Sequence, residues 1–213
     1  MKRPFFIFIL FLFIASNGQE VKDQKENKVL KNIPDGYDTL SWGTMLTNAK
    51  DKIRGKLYFT DDKTLIISRE GNLEYNYGFF YIDPGLEKAE GKEGEVREAD
   101  KTAAGKKEAS MKADEGKLFY VALKFPYLTM EEVRKKIEDK HGSYTNEDMN
   151  KFQGAIAWNG EKTIIIMWVD RYEDKPYCGR ITYVSKEITK ELNEYHLRVF
   201  NRVEREIIRK LTP

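Results

Sequence analysis

The chain has 213 residues, 34% of them charged and 40% hydrophobic, with 37 Lys and Arg against 35 Asp and Glu. That balance, with no clustered basic stripe, excludes the electrostatic footprint that phosphate neutralisation demands, so nucleic acid is not an expected partner. One cysteine, Cys178, excludes an internal disulfide; it reads as a small buried strand residue, and the fold must stand on its apolar core.

The chain opens "MKRPFFIFILFLFIASNGQE": a basic pair, Lys2 and Arg3, then an apolar run from Phe5 to Ala15 that is shorter than the roughly 20 residues needed to span a bilayer. This is the pattern of a secretory signal peptide over 1–18, with Ser16 and Gly18 as the small residues before a cut at Gln19. No cysteine stands at the junction, so no membrane anchor is expected after cleavage, and the product is expected to be periplasmic or secreted. Cleavage removes Lys2 and Arg3 and no acid, leaving 35 charges of each sign.

Residues 19–32 are almost entirely polar and read as a flexible leader, with order beginning near Ile33-Pro34 and a single domain running from 33 to 213. "LSWGTMLTNAKDKIRG" predicts a short helix with Thr44 as N-cap, Leu46, Ala49 and Ile53 on one face and Gly55 as the stop. Strands are expected over Lys56–Phe59, Thr64–Arg69 and Glu74–Ile82, the last with Tyr75, Tyr77, Phe79 and Tyr81 at period two. The stretch 84–116 is Lys, Glu, Ala and Gly with no aromatic residue and five glycines; it reads as a disordered insertion. A strand, Lys117–Phe125, ends before Pro126.

"LTMEEV" carries the clearest local signal. Thr129 and Glu132 form a capping box, with Leu128 and Val133 as a hydrophobic staple, and the helix should run to His141 and stop at Gly142. A polar connection then leads to strands over Gln153–Trp158, Lys162–Val169 and Gly179–Val184. The run "TIIIMWV" is apolar on both faces, so both sides of that strand must be covered. "GKLYFTDDKTLII" from Gly55 and "GAIAWNGEKTIIIMW" from Gly154 share a glycine, two apolar positions, an acid-Lys-Thr triplet and an aliphatic run. The expected fold is therefore α+β: one antiparallel sheet built from two α-β-β-β units, with helices on one face.

The last segment, from Ser185, repeats Ile188, Leu192, Tyr195, Val199, Val203, Ile207 and Leu211 every three or four residues, which predicts one amphipathic helix about 40 Å long. Its distal stripe of Val199, Val203, Ile207 and Leu211, flanked by Arg202 and Arg209, is the first candidate protein-binding surface, because apolar centres edged by Arg are common at interfaces. The aromatic strand with Tyr75 and Tyr77 is the second. No catalytic, cofactor-binding or metal-ligating residue is assigned. His141 suits a helix terminus, His196 lies within a helix, and the carboxylates Asp61, Asp62, Asp170, Glu173 and Asp174 read as hairpin tips. Neither a Walker loop, a His-Glu-x-x-His nor a Gly-x-Ser-x-Gly is present.

With a signal peptide, no lipid-attachment cysteine, zero mature net charge and a Lys/Glu-rich insertion, the chain resembles small secreted proteins of spirochaetes, among them the flagellar coiling protein B family. The resemblance lies in the overall pattern of the mature chain and assigns no residue. It implies a non-catalytic sheath component of the periplasmic flagellar filament, needed for filament curvature and motility, with filament or envelope proteins as partners. The helix-plus-meander plan is also similar to the β-lactamase-inhibitor-protein-like fold, whose members bind proteins through a sheet face. A secreted binding or inhibitory module and an unrecognised hydrolase are the other function classes open at this stage.

Overall fold

The structure is a computed structural model and describes residues 29–80, 116–191 and 199–211. The expected signal peptide, most of the leader, Tyr81 and Ile82 of the expected third strand, and all of the insertion 84–116 except Gly116 lie outside the described residues; Gly116 is buried and accepts from Leu46 N at 3.0 Å.

Eight strands form one antiparallel sheet: β3 (Lys56–Thr60), β4 (Leu65–Glu70), β5 (Leu73–Phe80), β6 (Lys117–Thr129), β7 (Asn146–Asn150), β8 (Gln153–Asn159), β9 (Thr163–Tyr172) and β10 (Lys175–Ser185). Their order is β3-β4-β5-β6-β10-β9-β8-β7. Each half of the chain thus lays down four consecutive strands, and the last strand of each half meets the other at the centre, where Ile181 lies opposite Leu123 and Thr182 opposite Ala122. A small hairpin, β1 (Gly36–Tyr37) with β2 (Leu40–Ser41), and four short helices complete the fold: α1 (Leu46–Ala49), α2 (Met130–His141), α3 (Lys186–Glu191) and α4 (Arg202–Leu211).

This overturns the α+β expectation. The molecule is mostly β, its units have four strands rather than three, and no long C-terminal helix exists among the described residues. The missed strand is β7, "NEDMN", an edge strand too polar to show an alternating pattern. The shared words near Gly55 and Gly154 fall on β3–β4 and β8–β9, whereas positions mirrored about the sheet centre are β3–β4 and β7–β8. The likeness is therefore one strand out of step with the sheet's symmetry.

Nor do the helices share one face. In β9, Ile165, Met167 and Val169 pack with Val133 and Ile137 of α2, while Ile164, Ile166 and Trp168 pack with Phe200, Ile208 and Leu211 at the C-terminus. Strand side chains alternate, so these are opposite faces, and the doubly apolar run of β9 is covered on both sides as its sequence demands. Under the first half, Leu46 and Ala49 of α1 with Tyr37 and Leu40 of the small hairpin cover Ile66, Tyr75, Tyr77 and Val121.

Local signals explain most helix boundaries. The Thr129 hydroxyl accepts from the Glu132 backbone and the Glu132 carboxylate accepts from Thr129 N at 3.1 Å, the expected capping box. Gly142 ends α2 at φ 86°, a conformation that favours glycine. Thr44 does not cap α1: its hydroxyl donates to Ser41 O at 2.8 Å, and Met45 occupies the cap position without a side-chain bond. The C-terminal stripe is broken by a second capping box, in which Glu204 N donates to Asn201 Oδ1 at 2.9 Å and Asn201 N donates to Glu204 Oε2 at 3.0 Å. A side chain that satisfies the first turn of a new helix stops the previous one from running through it. At the other end, Leu30 is buried and donates its N–H to Asn159 O at 2.8 Å, so packing begins before Ile33.

Candidate functional site

The two surfaces expected from sequence are each divided or withdrawn by the fold. In the C-terminal stripe, Val199 and Val203 are exposed, at 47% and 64%, but Leu211 is buried and Ile207 packs against the core. Arg180, whose guanidinium lies 4.8 Å from the centre of the Trp168 ring, makes an ion pair with Glu204 and fixes α4 over the sheet. Arg202 is exposed and pairs with Glu206 of its own helix at 3.6 Å; Arg209 is also exposed. The stripe is thus divided: Ile207 and Leu211 face the core from α4, Val203 is exposed on it, and Val199 is exposed ahead of it. Tyr75 and Tyr77 are buried within an aromatic group that includes Tyr37, 4.9 Å centre to centre from Tyr183. Tyr77 Oη accepts from Arg54 N at 3.0 Å and Tyr75 Oη donates to Glu70 at 3.2 Å. Burial pushes the Tyr37 and Tyr77 phenols above their usual range, as a core position requires.

What the sheet does expose is β3. Leu57, Tyr58 and Phe59 are 46%, 62% and 48% exposed, and among the described residues β3 has a strand partner on one side only, β4. The register shifts between Leu57, opposite Ser68, and Phe59, opposite Ile67, so three consecutive large side chains crowd into one short edge. Arg69 on β4 holds the Tyr58 ring 3.6 Å from its guanidinium and reaches Glu74 at 2.8 Å, with Lys124 on the far side of Glu74. These interactions orient the aromatic surface without covering it.

The turn into β4 is built around Asp61, which accepts from the backbone of Lys63, Thr64 and Leu65 and from the Thr64 hydroxyl. Burial works against its charge, but the Thr64 hydroxyl and these backbone bonds outweigh it and hold the carboxyl below its ordinary value. Asp61 is therefore a turn-forming residue. Sequence reading passed over β3 as an interface because its composition, "KLYFT", is that of any buried strand; only its place at the edge distinguishes it.

A second aromatic group lies at the end of the central strands, where Tyr127, Tyr172 and Tyr177 surround a cavity of about 410 Å³ beside Asp170 and Arg171. Tyr127 Oη donates to Asp170 at 3.1 Å, and that carboxylate raises the Tyr127 hydroxyl above its usual range. The adjoining hairpin turns through Glu173 and Asp174, both at positive φ (47° and 55°), as a two-residue turn between twisted strands requires. Cys178 is buried, and burial pushes its thiol up to about 12, far from reactive range.

His141 is buried with Nδ1 3.2 Å from Asn32 O and, among the described residues, no partner at Nε2; burial lowers its pKa. Among the described residues, no cluster of three His, Cys, Asp or Glu could hold a metal ion, and no helix is long and apolar enough to cross a membrane. Comparison with protein-family models, curated proteins and solved structures returns no match.

Proposed function

We propose that this is a non-catalytic secreted protein that binds another protein through the β3 edge, and that its specific role is as a sheath component of the periplasmic flagellar filament. The observation that carries the reading is the row of Leu57, Tyr58 and Phe59 on a strand whose outer backbone edge has no strand partner among the described residues. Such an edge supplies main-chain hydrogen bonds for a further strand and apolar side chains for its specificity. Soluble proteins ordinarily blunt exposed edges with charge or cover, and this one is left apolar. The signal-peptide pattern and the resemblance to small secreted spirochaete proteins supply the compartment and the filament.

The test is fractionation combined with an edge variant. Tagged protein is expected to remain with periplasmic filaments isolated from the cell, and Leu57→Lys with Phe59→Lys is expected to release it while the circular dichroism spectrum and melting midpoint stay unchanged. Wild-type protein found only in the soluble fraction would remove the filament role and leave a secreted binding or inhibitory module.

A further inference from the structure

The sheet face that carries α1 and α2 is covered in two patches, with Tyr183 packed against both. Between them lies a cleft of about 420 Å³, within the range of about 300–1,000 Å³ typical of small-molecule sites. Its floor is the seam where the two halves of the sheet join, with Leu123 on β6 and Ile181 and Tyr183 on β10; Leu73 closes one side and Ile137 of α2 the other. Leu73, Leu123 and Tyr183 are only partly buried, so the floor is an apolar surface left open by the fold. Burial of α2 through Val133, Ile137 and His141, at intervals of four, turns the neighbouring positions 136 and 140 to the cleft side. Both are lysines, one helical turn apart. No Asp or Glu lines the cleft, although the chain holds nearly as many acids as bases. Neither ammonium lies within 4.0 Å of a carboxylate among the described residues. Of the acids on the same helix, Glu131 pairs with Arg134 at 2.6 Å, and Glu132 closes the Thr129 cap while feeling the charge of Lys136 one turn on.

An apolar trough with two lysines at its rim and no acid among its described lining residues selects a ligand with an alkyl body and one anionic head. We propose that this cleft binds a single-chain amphipathic carboxylate. The chain lies along Leu123, Ile181 and Tyr183, and the head sits between Lys136 and Lys140, where a charge-assisted hydrogen bond to each is in reach. The site is independent of β3, which lies at the sheet's edge.

The experiment titrates the full mature chain with octanoate, decanoate and dodecanoate below their micellar concentrations, by calorimetry and by methyl NMR. One saturable site is expected, tightening about fourfold for each methylene buried, with methyl shifts at Leu123, Ile137 and Ile181. Lys136→Gln with Lys140→Gln is expected to weaken dodecanoate binding by about tenfold. The melting midpoint of the ligand-free protein should not move, since both side chains are exposed. Dodecanol should bind wild type no better than dodecanoate binds the double variant. Equal affinity for dodecanol and dodecanoate, undiminished binding by the variant, or methyl shifts elsewhere overturns the proposal. So does binding to anionic phospholipid vesicles with none to free dodecanoate, which would make the lysines a membrane contact.

Discussion

The two edges of the sheet solve the same physical problem in opposite ways. β7 is polar, short and capped: Asn146 donates its side chain to Leu211 O at 3.3 Å and Asp148 pairs with Lys210 at 2.9 Å, so the end of α4 is tied to that edge. β3 is equally short but apolar, carries a register shift and has no such cap among the described residues. An edge whose side chains are tied to the chain's own helix belongs to the stability of the monomer. An edge left open with three large side chains costs the monomer solubility, and that cost is retained where a partner offsets it.

The largest effect is expected from breaking the capped edge. Leu211→Ala removes a buried anchor of α4 and should cost about 2–4 kcal/mol in denaturant unfolding; a loss below about 1 kcal/mol would mean that α4 is an accessory to β7. Next are the two capping boxes. Asn201→Ala and Thr129→Ala should each cost about 1 kcal/mol, and an unchanged midpoint for either would place the start of that helix elsewhere. A smaller, pH-dependent effect is confined to the second half, which holds both histidines of the chain. Burial keeps His141 below its ordinary value in the folded state, so on acidification the unfolded chain takes up a proton first, from about pH 6.5 downward. Stability is therefore full above that pH and falls as pH drops toward the folded value; in His141→Gln this part of the slope should vanish. The smallest effect on stability belongs to β3. Tyr58→Ser should change it by no more than about 0.5 kcal/mol while weakening partner binding, and a large destabilisation would make the β3 aromatics part of the core.

Much of the sheet was legible. Seven of its strands appear in the sequence as runs of β-branched and aromatic residues between turn signals, and β9 announced that it is covered on both faces because it does not alternate. Thr129 and Glu132 located α2 because capping is a local transaction between residues three apart. The same logic was available at Asn201 and Glu204, but the apolar stripe running through them carried more weight than the cap that interrupts it. β7 was hidden because a strand on an edge, covered by a helix end through polar contacts, needs no apolar residues. The candidate surface was missed for a related reason. Exposure of Leu57, Tyr58 and Phe59 depends on sheet order, which is set by the pairing of β6 with β10 across more than fifty residues of chain. The burial of Tyr75 and Tyr77 is decided by α1 and the small hairpin, which pack over them from earlier in the same half of the chain.

That central pairing also bears on how the molecule is made. A chain synthesised from its N-terminus can complete β3 to β6 with α1 and the small hairpin beneath them, since all those partners are already present. β6 must then wait, its outer edge unsatisfied, until the final strand of the sheet arrives. The docking of β10 is the slow, non-local step in assembly, and a half-made chain presents the same strand that ends up most protected in the finished one. Nascent or truncated forms that stop short of residue 175 are therefore the aggregation-prone species, through β6, while the finished sheet keeps β6 paired on both sides.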